Sequence, residues 1–333
     1  MRELVLEEPG LLKWRDKAPP EAKDGEVLVK VHRVGVCGSD IHAFHGNQPF
    51  FSYPRVLGHE LAVEVVEDAE GFSAGDLCTV EAYYPCGDCP ACRNNRPNCC
   101  SALKVLGIHT DGGHAEYMTV PAERLHKGNN LSPDELALVE PLVIGAHAVE
   151  RGDLRKGESV LILGAGTIGI AVALFARAAG ADVVVADINN DKLTHVQNEM
   201  GFEKCALVDE NLEENVRNFY EGQMPYVIFD ATGNPQSMMS TFELVEQSGR
   251  IVFVGLFKGD VSFHDPLFHK KELTLLASRA GTAETFAKVI SMMQNGEVDA
   301  KPMINQRIKF SDADKAFNEL SKNKNLVKAI IEF

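Results

Sequence analysis

The chain predicts an α/β fold, a doubly wound parallel sheet of six strands joined to a second, β-rich part built from short strands and long loops. Three observations lead there. Short β-branched runs alternate with helix-compatible stretches through the middle of the chain, a glycine-rich turn links the first run to an apolar helix, and most of the eight cysteines crowd into one loop. A length of 333 residues corresponds to about two domains. With 45% hydrophobic and 24% charged residues, disordered, collagen-like and low-complexity chains are excluded.

The runs at 160–163, 183–186, 206–208, 227–229, 251–254 and 273–276 lack strict alternation, which suits strands covered on both faces. Stretches at 168–179, 191–200, 213–220 and 236–246 are helix-compatible, and helical crossovers make the strands they connect parallel. The doubly wound domain is expected over 146–281. Ahead of it, 25–36 and 62–68 read as strands between loops rich in glycine, proline and aromatics. Behind it come a helix at 284–295, a second helix capped by Ser311, and a terminal strand at 327–333. That tail is too short to fold alone, so 282–333 is expected to pack with 1–145.

A net charge of −15 repels phosphate backbones and anionic lipid, which argues against nucleic acid or a membrane surface as partner. The N-terminal stretch has no apolar core of a signal peptide, so a cytoplasmic location is expected, where clustered cysteines are metal ligands more often than disulfides. Residues 159–176 carry no charge and reach the minimum of about 18 residues for a spanning helix. Gly164, Gly166 and Gly169 interrupt them and Arg177 follows, so a buried strand, turn and helix is the better reading.

That stretch contains G-x-G-x-x-G between a strand and a helix, the fingerprint of a Rossmann dinucleotide site. Gly164 permits the tight turn, Gly166 lets a pyrophosphate approach the backbone, and Gly169 lets helix and strand pack closely. The helix start, with Thr167 and Ile168, is expected to offer N–H donors and a positive dipole end to the phosphates. The next strand ends in Asp187, placed to accept hydrogen bonds from ribose hydroxyls and to repel a 2′-phosphate. No arginine follows in 187–192, which favours NAD over NADP. Taken alone, the glycine pattern also serves FAD sites and purely structural turns.

Cys86, Cys89, Cys92 and Cys100 supply four thiolates from one loop, a closed tetrahedral set suited to structural zinc. Cys99 competes with Cys100 for the fourth position, while Cys78 and Cys205 read as ordinary buried cysteines. A second, dispersed constellation comprises Cys37-Gly-Ser39-Asp40-Ile-His42, Gly58-His59-Glu60 and Glu140-Pro141. Thiol, imidazole and carboxylate are all zinc ligands, yet a His-Glu pair on its own is commonly a surface ion pair.

In these motifs, and in their order and spacing, the chain resembles the zinc-dependent medium-chain dehydrogenase/reductase family over essentially its whole length. The resemblance implies a GroES-like β-rich catalytic domain, formed by 1–145 and 282–333, around a Rossmann domain at 146–281. It implies one catalytic and one structural zinc per chain. Cys37 and His59 become ligands of the catalytic zinc, with Glu60 and Glu140 completing it, one directly and the other directly or through water. Asp40 matches the carboxylate that orients His59, Ser39 and His42 match the proton relay, and Lys192 matches a cofactor-ribose contact. Val254 and Gly255 fall beside the nicotinamide. Glu140 places the chain with the polyol and sugar dehydrogenases. Two departures stand out: Val63 replaces a usual glycine, and the stretch 67–75 is shortened.

Within the family, the subgroup acting on L-galactonate and L-gulonate at carbon 5 is most similar, through 46–60, 252–259 and 265–272. A sugar acid needs an anion partner; Arg279, Lys258, Lys270 and Lys271 are candidates, although Arg279 serves equally as a pyrophosphate ligand. Asn47 and Gln48 could bind substrate hydroxyls. Other outcomes are a neutral polyol or L-threonine as substrate, a zinc-binding adaptor, or a nucleotide-binding relative without catalysis. The family assembles as dimers or tetramers, so a homodimer or homotetramer is expected.

Overall fold

A computed structural model describes residues 1–49, 51–128 and 130–333. It divides into two compact units, the first Met1–Glu140 with Gly281–Gly296 and Ile304–Phe333, the second Pro141–Ala280 with Glu297–Met303. The division falls inside the helix Pro133–Arg151, between Glu140 and Pro141. Nothing in the apolar patterning marks that point, which is why the sequence reading placed it several residues later.

In the second unit the strands Ser159–Leu163, Asp182–Asp187, Cys205–Leu207, Val227–Asp230, Arg250–Phe253 and Thr274–Ala277 form one sheet, all pairings parallel. Numbering these strands one to six along the chain, their spatial order is 3-2-1-4-5-6, the doubly wound arrangement whose order reverses between the first and fourth strands. Apolar runs fill both faces: Val160, Leu161, Ile162, Val184, Val185, Ile228 and Phe229 are all completely buried. The uncharged stretch 159–176 forms the strand Ser159–Leu163 and most of the helix Thr167–Ala178. Among the described residues no helix is long and apolar enough to cross a membrane.

The first unit is antiparallel and loop-rich. Its largest sheet has Glu26–Val36 at its centre, paired with Glu60–Val65, with Tyr117–Pro121 and with the terminal strand Lys328–Glu332. A further strand, Ile304–Lys309, lies parallel to Lys328–Glu332. The hairpin Arg2–Glu8/Leu11–Asp16, which pairs with Arg55–Val56, forms a smaller sheet that the sequence reading did not identify. Between the charged ends of Arg2–Glu8, Leu4 and Leu6 are both fully buried. Val63, where the family pattern has glycine, is a fully buried strand residue opposite Val31 and Cys78. Two details correct the expectations. The strand expected at 62–68 starts at Glu60, so that residue belongs to the sheet. Ser311 lies within a 3-10 turn, Phe310–Asp312, and the following helix Ala313–Leu320 has Asp312 at its N-cap position, with no side-chain capping bond.

Candidate functional site

The central strand Glu26–Val36 ends at Cys37, which adopts an extended conformation ahead of the helix Gly38–Phe44. The Asp40 carboxylate accepts the Cys37 N–H at 3.0 Å and locks this corner. In the neighbouring strand, Glu60 pairs with Gly35, which brings the Gly58-His59-Glu60 turn beside Cys37. The ligand atoms of Cys37, His59 and Glu60 consequently lie within 4.8 Å of one another, with His59 and Glu60 buried. Gly35 makes this possible by lacking a side chain, since a Cβ there would sit 1.9 Å from Glu60 Oε2.

The pocket is rich in buried acids. Lys328 donates to both Glu60 oxygens, at 2.7 and 2.6 Å, and to the Val36 carbonyl at 3.1 Å, while being 1% exposed itself. Burial works to lower the Lys328 pKa, and the Glu60 carboxylate overrides it and holds the ammonium charged. Glu140 is buried and accepts a hydrogen bond from the Tyr83 hydroxyl. It does not join the three ligand atoms within their 4.8 Å radius. Desolvation raises the Asp40 and Glu140 carboxyls above their ordinary range. It works to lower His59, but Asp40 and then Cys37 hold that imidazole well above its usual value.

A buried excess of anionic groups with one ammonium among them is a setting that a cation completes. His59 Nδ1, Asp40 Oδ1 and Ser39 Oγ are buried without a hydrogen-bond partner, and Nδ1 stands 3.7 Å from Oδ1. Sulfur, nitrogen and oxygen donors at this spacing suit zinc, with the histidine's other nitrogen turned toward a carboxylate. Ser39 and His42 lie three residues apart on the helix Gly38–Phe44, hence on one face, with His42 exposed. Asn47 is exposed on the loop that follows, and its N–H is tied to the His42 carbonyl at 2.8 Å. Of the substrate-side stretch 46–60, Phe50 lies outside the described residues.

Tyr83, Lys328 and Gly35 were not found by sequence reasoning. The one signal was Lys328 itself, a lysine inside the apolar run 326–331.

The second group is Cys86, Cys89, Cys92 and Cys100, whose sulfurs also fall within 4.8 Å of one another. Two sulfur pairs, Cys89–Cys92 and Cys86–Cys100, are 3.5 Å apart. A tetrahedron with Zn–S bonds of about 2.3 Å has edges of about 3.8 Å, so the four fit one ion. Backbone N–H groups of Cys86 and Ala102 point at the Cys100 sulfur, at 3.2 and 3.3 Å. Backbone hydrogen bonds pull the Cys86 and Cys89 thiols down, while desolvation pushes Cys92 up. Cys99 is exposed and stands outside the group. Cys78 is fully buried, and its thiol is raised to about 12 mainly by desolvation.

In the second unit the glycine turn divides its labour as its geometry requires. Gly164 has φ +101°, a Cβ on Gly169 would sit 1.7 Å from the Gly164 carbonyl oxygen, and Gly166 faces open space. Gly166 is also the N-cap of the helix Thr167–Ala178 and has no side chain to satisfy that helix end. The Asp187 carboxylate accepts the N–H groups of Ala165 at 2.6 Å and Asn189 at 2.8 Å, which fixes it beside the turn. Asn189 in turn accepts from the Lys192 N–H at 3.3 Å, capping the helix Asn190–Asn198. Val254 and Gly255 both donate to the Asp230 carbonyl, each at 2.9 Å.

Among the proposed anion partners, Lys258, Lys270 and Arg279 are exposed. Lys271 is not available. It donates to the carbonyls of Phe242, Glu243 and Val245 at 3.2, 2.9 and 2.7 Å, neutralising the C-terminal end of the helix Pro235–Leu244. That use removes it from the candidates.

Comparison with known proteins agrees with this layout. Residues 23–130 match the alcohol dehydrogenase GroES-like domain, and residues 167–295 match the zinc-binding dehydrogenase domain. The chain is 41% identical to L-galactonate-5-dehydrogenase of Escherichia coli K12 over 337 aligned residues, covering 100% of this chain and 99% of that protein. It is 34% identical to 2-dehydro-3-deoxy-L-galactonate 5-dehydrogenase of Pseudoalteromonas atlantica, covering 92% of each. An alcohol dehydrogenase of Escherichia coli CFT073 solved with NADH superposes with a TM-score of 0.92 at 28% identity, covering 100% of this chain and 99% of that one.

Proposed function

Since the chain belongs to the zinc-binding alcohol dehydrogenase family, we propose that it oxidises a secondary hydroxyl of a sugar acid, L-galactonate or L-gulonate at carbon 5, with NAD as hydride acceptor. The observation that carries this reading is the Cys37–His59–Glu60 group, its imidazole and carboxylate buried, in a chain alignable end to end with an L-galactonate dehydrogenase. Cys37, His59 and Glu60 would hold a catalytic zinc, with Glu140 held in reserve by Tyr83, and Cys86, Cys89, Cys92 and Cys100 a structural one. Bound in these places, zinc supplies Lewis-acid activation of a hydroxyl and the nicotinamide a hydride acceptor.

The chain's own residues do the rest. Ser39, with its hydroxyl oxygen buried and unpaired, relays the substrate proton, accepting one proton as it gives up its own hydroxyl proton. His42, exposed on the same helical face, passes a proton on to solvent. Gly164, Gly166, Thr167, Ile168 and Gly169 form the turn and helix start that would receive a pyrophosphate at the positive end of the helix dipole, and Asp187 and Lys192 would hold the ribose of NAD. Arg279 serves either the pyrophosphate or the substrate carboxylate.

The test is NADH formation across L-galactonate, L-gulonate, D-sorbitol, L-threonine and simple alcohols. Turnover confined to the sugar acids supports the proposal, and preference for sorbitol or threonine overturns its substrate part. Asp187→Ala should raise the KM for NAD about tenfold and weaken discrimination against NADP. Unchanged cofactor kinetics would refute the ribose assignment. Metal analysis should find two zinc ions per chain.

A homodimer or homotetramer is the assembly we propose. Thr274–Ala277 is the outermost strand of the six-stranded sheet, with Leu275 36% exposed, and an apolar open edge of this kind suits pairing with a second copy.

A further inference from the structure

Asp230 closes the fourth strand of the parallel sheet, immediately beside the point where strand order reverses. Its carboxylate is completely buried, and its hydrogen-bond donors among the described residues are neutral: Oδ1 accepts the Thr232 N–H at 3.0 Å and the Thr232 hydroxyl at 2.7 Å, and Oδ2 accepts the Ser237 hydroxyl at 2.5 Å. The Thr232 hydroxyl oxygen accepts the Asn234 N–H at 3.0 Å, and the Asn234 side chain caps the helix Pro235–Leu244. One carboxylate thereby fixes the whole turn from strand to helix.

That turn is wedged between the two loops assigned to the cofactor. On one side, a Cβ added to Gly164 would meet Thr232 Cγ2 at 3.2 Å. On the other, a Cβ on Gly255 would sit 2.3 Å from the Gly233 nitrogen, and Gly233, at φ +60°, would bring its own Cβ to 2.8 Å from the Leu256 carbonyl. The main chain repeats the connection, because Ala231 N–H donates to Leu163 and the Asp230 carbonyl accepts from Val254 and Gly255, all at 2.9 Å. The spacing between the pyrophosphate turn and the Gly255 turn is set by the thickness of 231–233 (a few backbone atoms with no room to give).

We propose that Asp230 is a positioning residue for the dinucleotide: it never touches the cofactor and acts by holding Thr232–Gly233 as the spacer between the two loops that do. The inference rests on the cofactor reading above. Its charge is incidental and its acceptor geometry is the essential property. An asparagine would keep an oxygen for both Thr232 donors and turn its amide toward the Ser237 oxygen, which accepts as readily as it donates.

The experiment is a fluorescence titration of the zinc-loaded enzyme with NADH, together with steady-state kinetics. Asp230→Ala should raise the NADH Kd and the KM for NAD about tenfold, as expected for losing one to two hydrogen bonds' worth of ordering. The KM for the hydroxy substrate at saturating NAD should stay unchanged, and Asp230→Asn should restore NADH binding to near the wild-type value. Thr232→Val, which keeps the side-chain shape and removes the hydroxyl, should weaken NADH binding in the same direction and serves where Asp230→Ala does not fold. A lowered melting temperature with unchanged NADH affinity in these variants overturns the proposal, and so does failure of asparagine to rescue. Wild-type enzyme that binds no NADH overturns the cofactor reading and this inference with it.

Discussion

At Gly35 a single hydrogen atom decides whether Glu60 can stand where it does. Gly35→Ala puts a methyl group 1.9 Å from Glu60 Oε2, so the carboxylate must leave its place next to Cys37 and His59. The expected outcome is loss of one zinc per chain by metal analysis and a fall in activity of at least about a hundredfold, with the other zinc retained. Retention of both ions would show that Glu60 does not matter to the metal. Residue-scale reading of the sequence reached Cys37, His59 and Glu60 because each sits in a short motif whose members are chain neighbours. It missed Lys328 because its partner Glu60 is 268 positions away. Tyr83 escaped for a related reason, since a tyrosine after a short strand carries no mark that its hydroxyl meets Glu140.

Among the elements, the cysteine lobe and the start of helix Pro133–Arg151 make separate predictions. Between Cys86 and Cys100 the chain forms one turn of α-helix and one of 3-10, and buries only Asn98 and Cys100. With so little apolar packing, a metal held by the four cysteines would be what fixes its shape. Cys89→Ser should lose the structural zinc and open the lobe to limited proteolysis; wild-type resistance together with full zinc would count against a closed site. Asp134, in the first turn of the helix, accepts Arg33 at 2.9 Å from one strand and Arg307 at 2.7 Å from another. Burial acts to raise its carboxyl, but the hydrogen bonds from Arg307 and Arg33 prevail and lower it. A carboxyl lowered in the folded state contributes stability above its unfolded pKa of about 3.9 and loses it as pH falls through the folded value. Asp134→Asn should therefore cost about 1 kcal/mol in urea unfolding at pH 7 and much less near pH 3. An equal cost at both pH values would contradict the assignment.

Across the whole molecule, the six-stranded sheet was legible because buried parallel strands are uninterrupted apolar runs punctuated by turns. The first unit was legible only in part. In its outer strands charge and burial do not alternate: Arg2–Glu8 buries four consecutive residues, Glu3 to Leu6, between charged ends, and Leu11–Asp16 has none buried. Charge belongs to this scale too. A net −15 opposes an anionic cofactor and an anionic substrate alike, so attraction has to be local, at a helix N-terminus or a metal. Assembly is likewise a property of the whole. Leu275→Lys places a charge on the open sheet edge and should shift the mass measured by light scattering toward the monomer, whereas an unchanged mass would exclude this edge as the interface.

The pairing of Lys328–Glu332 with Glu26–Val36 has a consequence in time. At about 5–20 residues per second, a ribosome releases Cys37, His59 and Glu60 well before Lys328, which follows Glu60 by 268 positions. Until then the central strand Glu26–Val36 lacks one of its sheet neighbours and Glu60 lacks its ammonium. The stretch Pro141–Ala280 emerges in one piece and can begin folding while the earlier segment still waits for its last strand. Nascent chains stalled before Lys328 should carry a formed nucleotide sheet and an unfinished acidic pocket, so a metal bound at that pocket would be captured late in the folding of each molecule.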